Sequence, residues 1–287
     1  MPYLTLKDGV SLFYKDWGNS TGQPVFFSHG WPLNSDNWEL QMNFLGDEGY
    51  RVIAHDRRGH GRSDQPWAGN DIDTWADDIS QLFEHLNLTD ATLVGHSTGG
   101  GDITRFAANS KAESGYGTYG SKKSSWVKKL VLISAITPQL LQAPWNPSGI
   151  PIEGLDQQRA LMLKDRSQFF YDVPEGPFFG FNRPNATVSK GLIQSWYNQG
   201  MQASFKSTYD TIASWETDFR SDLESLDVPV LVIHGDDDQI VPFGVGNQTT
   251  KFLKDGRLKV YKGGPHALPN IEADGINNDL LGFLKED

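Results

Sequence analysis

A short glycine-rich stretch in the first half of the chain carries the residue best suited to nucleophilic chemistry. An apolar run ends there in a Gly-x-Ser-x-Gly pentapeptide, Gly95-His96-Ser97-Thr98-Gly99, and helix-like sequence follows. Glycines on either side of Ser97 permit a tight turn from a strand into a helix, which lifts the serine hydroxyl out of the sheet. A serine hydroxyl at its ordinary pKa is a poor nucleophile, so this hypothesis requires a histidine base, an acid that orients it and donors for an oxyanion.

The base is expected near the end of the chain, because in enzymes with this serine motif the acid and then the histidine follow the nucleophile in sequence. His266 lies in a Gly-Gly-Pro-His loop after the last predicted strand, at the carboxyl end where sites in parallel sheets form. We therefore expect His266 to be the base. The other six histidines border strand ends (His29, His96, His234), flank a charged loop (His55, His60) or lie on a predicted helix (His85).

Three consecutive aspartates compete for the role of the acid. Asp236, Asp237 and Asp238 follow a predicted strand over residues 228–235. One side chain in such a turn can reach the Nδ1–H of the imidazole, while its neighbours cap the turn or face the solvent. The pattern of residues alone does not choose among the three.

Two backbone N–H groups are candidates for the oxyanion hole. One donor is the N–H of the residue after the nucleophile, Thr98, and the other comes from the loop after an early strand. That loop is His29-Gly30-Trp31-Pro32, and since Pro32 has no N–H, Trp31 is the expected donor. Its side chain is equally suited to a pocket wall or to the core, and both uses are compatible because the donor is a backbone group. Pro32 is also a candidate for a cis peptide bond.

Other charged and glycine-rich stretches point to structure rather than to ligands. In the loop over residues 56–63, ion pairs that pin the chain are favoured over anion binding. Asp102 and Arg105 are expected to serve a helix start and ion pairs. The glycines at 99–101 lack the Lys-Ser/Thr ending of a phosphate loop. No histidine and carboxylate cluster has the spacing of metal ligands, so we expect no metal and no other cofactor.

The elements that position these residues follow a strand-helix-strand rhythm. Continuous apolar runs such as residues 24–28 and 50–54 are typical of strands covered on both faces. Between these two strands we expect a helix capped by Ser35 or Asp36. Strands are expected at residues 3–6 and 10–14 as an edge hairpin, then at 24–28, 50–54, the run that ends at the serine, 130–133, 228–235 and 258–261.

The alternating pattern is interrupted twice. Residues 112–125 are rich in glycine and serine, which predicts an exposed, flexible loop insertion. From residue 138 prolines and glycines break the chain, and helical stretches without a strand follow, which is typical of a cap that supplies pocket walls. We therefore predict an α/β protein with a mostly parallel eight-stranded sheet and helices on both faces. Its core comprises residues 1–137 and 214–287, and a helical cap is inserted at residues 138–213.

Composition bounds the classes of function. The 287 residues, 38% of them hydrophobic, suffice for one α/β domain with an insertion. A net charge of −11 disfavours binding to nucleic acid or to an anionic membrane. Without cysteine there is neither a disulfide nor a thiolate metal site. The start has no signal-peptide pattern and no apolar run has membrane-spanning length, so we expect a cytoplasmic protein.

Together these stretches resemble the α/β-hydrolase fold and, more narrowly, the cofactor-free bacterial haloperoxidases and the related aryl esterases. The resemblance spans almost the whole chain. Its most particular parts are the Ser-Thr-Gly-Gly run after His96 and the Gly-Asp-x-Asp-Gln-Ile-Val-Pro run from Gly235. The stretches that carry it are Ser28-His-Gly-Trp-Pro-Leu33, Asp56-Arg-Arg-Gly-His-Gly-Arg-Ser63, Gly95-His-Ser-Thr-Gly-Gly-Gly101, Glu216-Thr-Asp-Phe219 and His234-Gly-Asp-Asp-Asp-Gln-Ile-Val-Pro-Phe243.

The resemblance implies a catalytic triad of Ser97, His266 and Asp238, the last because of its spacing from the following Ile-Val-Pro. It also implies Trp31 and Thr98 as the oxyanion donors. Two activities are implied for one site: hydrolysis of short-chain or aryl carboxylic esters, and perhydrolysis of carboxylic acids by hydrogen peroxide to peracids that oxidise halides without a cofactor. The implied partners are these small molecules, and a homo-oligomer is also implied.

Two other hypotheses remain open. A lactonase or carbon–carbon bond hydrolase would use the same triad, because the cap sets the leaving-group preference. A slow receptor-like ligand binder would retain the triad but show negligible turnover. A panel of aryl esters, lactones and vinylogous diketones tests the first hypothesis, and fluorophosphonate labelling of Ser97 tests the second.

Overall fold

A computed structural model describes residues 2–113 and 125–286 of the chain. Its strands form one eight-stranded sheet in the order β1-β2-β4-β3-β5-β6-β7-β8. Strands β1 and β2 form an antiparallel hairpin, β2 is antiparallel to β4, and the later neighbours are parallel. The predicted α/β class with a mostly parallel sheet is confirmed. The strands are β1 Tyr3–Thr5, β2 Ser11–Gly18, β3 Pro24–Ser28, β4 Arg51–His55, β5 Ala91–His96, β6 Val127–Ile133, β7 Val230–Gly235 and β8 Gly256–Tyr261.

Helices cover both faces of the sheet, as the unbroken apolar strands predict. Val25 and Phe27 of β3 pack with residues of the first and last helices, α1 and α10, on one face. Phe26 points the other way and packs with residues of α2 and α3. The helices of the described residues are α1 Glu39–Asp47, α2 Ile72–Leu86, α3 Thr98–Glu113, α4 Ile152–Glu175, α5 Lys190–Gln202, α6 Phe205–Ser214, α7 Arg220–Ser225, α8 Phe243–Thr249, α9 Leu268–Ile271 and α10 Ala273–Lys285.

The predicted cap of the first helix is wrong. A 3₁₀ turn, Ser35–Trp38, precedes α1, and its cap is Asn34, whose side chain accepts from the Asp36 N–H at 2.9 Å. The two residues that were expected to cap the helix have other partners: the Ser35 hydroxyl donates to Asp56, and Asp36 pairs with basic side chains. These partners are remote in sequence, so the local pattern did not reveal them.

The segment between β6 and β7 contains helices α4 to α7 and only isolated bridges in place of strands. This agrees with the predicted helical insertion, whose limits at residues 138 and 213 stay a prediction. Helix α3 continues through residues 112 and 113, where a loop was expected to begin, and residues 114–124 of that predicted loop lie outside the described residues. None of the helices in the two described ranges is both long and apolar enough to cross a membrane.

The charged loop over residues 56–63 is pinned by ion pairs, as predicted. Arg57 pairs with Asp102 at 2.7 Å, and both side chains are wholly buried. Arg58 pairs with Asp78 at 2.5 Å and Arg62 with Asp56 at 2.7 Å. Arg105, also predicted to form ion pairs, contacts Asp73 and Asp222. Because unpaired buried charges are costly, these pairs fix the loop at the carboxyl end of β4.

Candidate active site

Ser97 lies at the turn between β5 and α3, at the carboxyl edge of the sheet. Its φ of +55° is in the left-handed region, which strains a residue other than glycine. The glycines make the turn possible, because a Cβ on Gly95 would lie 2.4 Å from the Gly99 carbonyl oxygen, and one on Gly99 would lie 2.3 Å from that of Ser28. The Ser97 N–H donates to the Ile133 carbonyl at 3.0 Å, which ties the turn to β6. The predicted strained turn is therefore present.

Asp238 and His266 form a buried hydrogen-bonded pair at the same edge. His266 Nδ1 donates to Asp238 Oδ2 at 2.8 Å, and both side chains are almost wholly buried. The other carboxylate oxygen accepts from the N–H groups of Ile240 and Val241 at 2.8 and 2.9 Å. Burial acts to raise the pKa of Asp238, but the facing His266 and hydrogen bonds from His234 and His266 outweigh it and hold the pKa below its usual range. Asp238 is thus ionised at neutral pH and keeps the His266 proton on Nδ1.

The two neighbouring aspartates face elsewhere, which decides a choice that the residue pattern left open. Asp236 Oδ1 accepts from the Gly263 N–H at 2.5 Å. Asp237 Oδ2 accepts from Nε of Arg183 at 2.5 Å. Of the three carboxylates, it is Asp238 that contacts His266.

His96 joins the serine turn to the histidine loop. Its Nε2 donates to the His266 carbonyl at 3.0 Å, and the two imidazole rings lie 4.8 Å apart. Burial, with a further contribution from His266, lowers the pKa of His96 to about 3, so its ring is neutral. On its other side, a Cβ on Gly30 would lie 2.8 Å from His96 Nδ1 and 3.1 Å from Ser97 Cβ. The loops that carry Gly30, Ser97 and His266 therefore meet around this one ring.

The loop after β3 is held in a fixed orientation by His29. Its Nδ1 donates to the Gly30 carbonyl at 2.9 Å, and the Leu33 N–H donates to the same oxygen at 3.0 Å. The Gly30 carbonyl and the Trp31 N–H belong to one planar trans peptide and point in opposite directions, so fixing the first orients the second. The next bond, Trp31-Pro32, is cis, in agreement with the prediction.

His29 is in turn fixed by Arg57. Its Nε2 accepts from the Arg57 N–H at 3.0 Å, while Arg57 Nη2 donates to the His29 carbonyl at 2.7 Å and pairs with Asp102. Burial first, and then the charge of Arg57, hold the pKa of His29 well below its ordinary value. The sequence indicated only a structural histidine and a pinned loop here. Their position directly before the Gly-Trp-Pro loop is the signal that could have linked them to the site.

Comparison with known proteins places the chain in a family. A family model described as the alpha/beta hydrolase fold matches residues 23–269. The chain belongs to the α/β-hydrolase family.

It is 47% identical to the bifunctional esterase/perhydrolase of Acinetobacter calcoaceticus, over 99% of this chain and 100% of that protein. It is 48% identical to the non-heme chloroperoxidase of Streptomyces lividans, with the same coverage. The crystal structure of a bromoperoxidase from Bacillus anthracis has a TM-score of 0.86 at 37% identity and covers 96% of each chain. The predicted resemblance is confirmed.

In this α/β-hydrolase, aromatic side chains surround the candidate site. The Trp31 ring packs edge-to-face with Phe170 of α4 at 5.4 Å and with Trp215 at 5.2 Å. Phe178 packs edge-to-face with His266 at 5.2 Å. All four of these aromatic side chains are buried, so the walls around the site are apolar and exclude water. Within residues 2–113 and 125–286, no group of three His, Cys, Asp or Glu side chains is arranged to hold a metal ion.

Proposed function

We propose that this α/β-hydrolase is a serine esterase and perhydrolase that uses Ser97, His266 and Asp238 as its triad. The observation that carries the proposal is the 2.8 Å hydrogen bond between His266 Nδ1 and Asp238 at the sheet edge where Ser97 occupies a strained turn. The names of the relatives from Acinetobacter and Streptomyces support both activities. The helices of residues 138–213 are proposed to form a cap over this site.

Acylation follows from the arrangement of these groups. Ser97 Oγ attacks the acyl carbonyl carbon of the ester while His266 Nε2 takes the hydroxyl proton. Asp238, ionised and bonded to Nδ1, stabilises the imidazolium that forms. The negative oxygen of the tetrahedral intermediate accepts hydrogen bonds from the N–H groups of Trp31 and Thr98. His266 then protonates the leaving alcohol, and the acyl group remains on Ser97.

Two nucleophiles can complete the cycle. Water, deprotonated by His266, attacks the acyl group and releases a carboxylic acid, with the proton returned to Ser97 Oγ. Hydrogen peroxide attacks in the same way and releases a peracid. When the acyl donor is itself a carboxylic acid, the leaving group is water, so acid and peroxide give peracid and water. The peracid transfers its terminal oxygen to a halide, which becomes hypohalous acid, and the carboxylic acid is regenerated.

The proposed substrates are small, and their acyl group is short-chain or aromatic and has no charge at the end remote from the reacting carbonyl. Aromatic rings surround the site, including those of Trp31, Phe170 and Phe178, and apolar walls favour acyl groups that lose little hydration on entry. Apolar surroundings of this kind favour an acetyl or benzoyl group and disfavour an acyl chain that ends in a charge.

The substitution Ser97→Ala tests the proposal. Hydrolysis of p-nitrophenyl acetate and peroxide-dependent bromination of monochlorodimedone in acetate should both fall by more than about a thousandfold. Ser80→Ala, at a serine on α2 whose hydroxyl donates to the Ala76 carbonyl of the same helix, is the matched control and should keep both activities. Bromination retained by Ser97→Ala would place that chemistry at another site, and bromination independent of acetate would refute the peracid route. A preference for lactones over aryl esters in the wild-type enzyme would replace the esterase assignment.

A further inference from the structure

The side chains of both proposed oxyanion donors are bonded to one helix of the insertion. The indole Nε1 of Trp31 donates to the Thr208 carbonyl oxygen of α6 at 2.9 Å. The hydroxyl oxygen of Thr98 accepts from Nε1 of Trp215 at 2.9 Å, and Trp215 is the residue that ends α6. Two residues that are 67 positions apart in sequence thus depend on the same short helix for their side-chain contacts.

Both hydrogen bonds are shielded from water. Trp31 and Trp215 are 7% and 6% exposed, and Thr98 and Thr208 are fully buried. The two indole rings also pack edge-to-face, with centroids 5.2 Å apart and planes at 87°. A buried N–H that loses its acceptor has no water to replace it, so each bond strongly restrains the residues it joins.

Helix α6 is a rigid support for these contacts. Its N-cap residue, Ser204, donates its N–H to the Gly59 carbonyl at 2.7 Å, in the loop pinned by ion pairs. A Cβ on Gly59 would lie 1.9 Å from the Ser207 hydroxyl oxygen, so this close approach requires glycine. The hydroxyls of Thr208 and Thr211 bond carbonyls of the preceding turn at 2.8 and 2.7 Å. The helix therefore spans from a fixed loop of the core to both oxyanion residues.

We propose that Trp215 is a positioning residue of the oxyanion hole, and that α6 aligns both donors through Trp215 and Trp31. The proposal rests on the function proposed above. The indole N–H of Trp215 donates to the Thr98 hydroxyl and so fixes the side-chain rotamer of Thr98. Because Thr98 begins α3, this bond also fixes the first turn of the helix, where the Thr98 N–H faces the oxyanion. Without that donor, the Thr98 hydroxyl is free to bond nearby backbone groups, as threonine does at helix starts.

The substitution Trp215→Phe tests this role, because it keeps an aromatic ring against Trp31 and removes the indole N–H together with part of the indole ring. We expect kcat for p-nitrophenyl acetate to fall about tenfold, less than the hundredfold or greater loss when a donor is removed altogether, and KM to change less than about twofold. Trp126→Phe, in a half-buried tryptophan that stacks on Phe106 of α3, is the matched control and should match the wild type.

A transition-state analogue gives a readout that a purely structural role does not move. An aryl trifluoromethyl ketone adds to a catalytic serine and places an oxyanion in the hole, whereas the corresponding methyl ketone binds without addition. Trp215→Phe should weaken the first by the same factor as kcat and leave the second unchanged. Equal affinity of wild type and Trp215→Phe for the trifluoromethyl ketone, together with an unchanged kcat, would overturn the proposal.

Substitutions of Thr98 provide a second route if Trp215→Phe fails to fold. Thr98→Val removes the acceptor oxygen and should reproduce the loss of kcat seen in Trp215→Phe, whereas Thr98→Ser keeps that oxygen and should lose clearly less kcat than Thr98→Val. The double variant Trp215→Phe/Thr98→Val should be no worse than Thr98→Val alone, and additive losses would contradict the coupling. If the proposed serine mechanism itself is wrong, the results differ from these. Ser97→Ala would then retain wild-type turnover, and the trifluoromethyl ketone would bind no better than the methyl ketone.

Discussion

Lowering the pH from 7.5 to 5.5 should sharply destabilise this protein, because four buried histidines resist protonation. Burial, followed by the nearby charge of Arg57, lowers the pKa values of His55 and His60 to about 3 and holds that of His29 well below its ordinary range. Burial also lowers the pKa of His96 to about 3. In the unfolded chain each of these imidazoles has its ordinary pKa of about 6.5.

The direction of these pKa shifts means that acid lowers the free energy of unfolding. A histidine whose folded pKa is depressed is neutral in both states above its unfolded pKa, so it has no effect on stability at pH 7.5. As the pH falls through about 6.5, the unfolded state takes up a proton that the folded state does not, and stability is lost until the folded pKa is reached. Between pH 7.5 and 5.5 each such group costs slightly more than about 1 kcal/mol, which adds to about 5 kcal/mol for the four together.

Two buried carboxyl groups act in the opposite direction. Burial raises the pKa of Asp78 to about 6 even though it pairs with Arg58, so the folded state takes up a proton there as the pH falls. This uptake stabilises the folded state by about 1 kcal/mol over the same interval. Burial also raises the pKa of Asp102. The depressed pKa of Asp238 matters only below about pH 4 and lies outside this window. A net loss of about 4 kcal/mol is a large part of the 5–15 kcal/mol that stabilises a typical domain.

Urea unfolding followed by tryptophan fluorescence at pH 7.5, 6.5 and 5.5 measures this loss. The variant His55→Phe keeps a ring that can stack on Phe26, whose ring centroid lies 5.2 Å from that of His55, and should reduce the pH dependence of the unfolding free energy by about 1 kcal/mol. His85→Gln, at an exposed position of α2, is the matched control. An unfolding free energy that stays constant from pH 7.5 to 5.5, or a His55→Phe variant with the full pH dependence, would refute the reasoning.

Three further substitutions have expected outcomes. Asp238→Asn should lower kcat for p-nitrophenyl acetate by about 10⁴-fold in stopped-flow or steady-state assays, because the amide no longer stabilises the imidazolium of His266. Gly30→Ala should lower the unfolding free energy by about 1–3 kcal/mol and reduce kcat, since its Cβ would lie 2.8 Å from His96 Nδ1. Asp102→Asn should cost about 3–5 kcal/mol in urea unfolding, because it leaves the charge of Arg57 buried without a counter-charge.

Each of these outcomes can fail in a distinct way. Near-normal turnover in Asp238→Asn would mean that another group orients His266. A Gly30→Ala variant with wild-type stability would show that His96 moves freely. A neutral effect of Asp102→Asn would mean that the carbonyl and histidine contacts of Arg57 suffice to hold it.

Features that depend on neighbours in sequence could be predicted, and the serine turn is the clearest case. The glycines at 95 and 99 are required by atoms within the same turn and by the adjacent β3, so the pentapeptide alone predicts the geometry. The position of His266 after the last strand followed from chain order for the same reason. The apolar strands were predictable because their two covered faces leave no room for polar alternation.

Features that depend on remote partners could not be predicted. Which of the three aspartates reaches His266 is decided by Gly263, which binds Asp236, and by Arg183 of the insertion, which binds Asp237. Resemblance to a family implied Asp238, the aspartate that contacts His266, whereas the residue pattern left the choice open. The contact of Trp215 with Thr98 joins residues 117 positions apart, and the sequence around either residue does not predict it.

The histidines at the strand ends suggest why the site has this form. His29 follows β3, His96 ends β5 and His234 is the next-to-last residue of β7. Each donates to a carbonyl of a nearby loop, those of Gly30, His266 and Val241 respectively. A neutral imidazole can donate to such a carbonyl without placing a charge in the apolar edge of the sheet. His266 differs because its Nδ1 donates to Asp238 at 2.8 Å, whereas His234 Nε2 is closer to the Val241 carbonyl, at 2.9 Å, than to Asp238, at 3.3 Å. The shorter bond to Asp238 supports the proposed role of His266 as the general base.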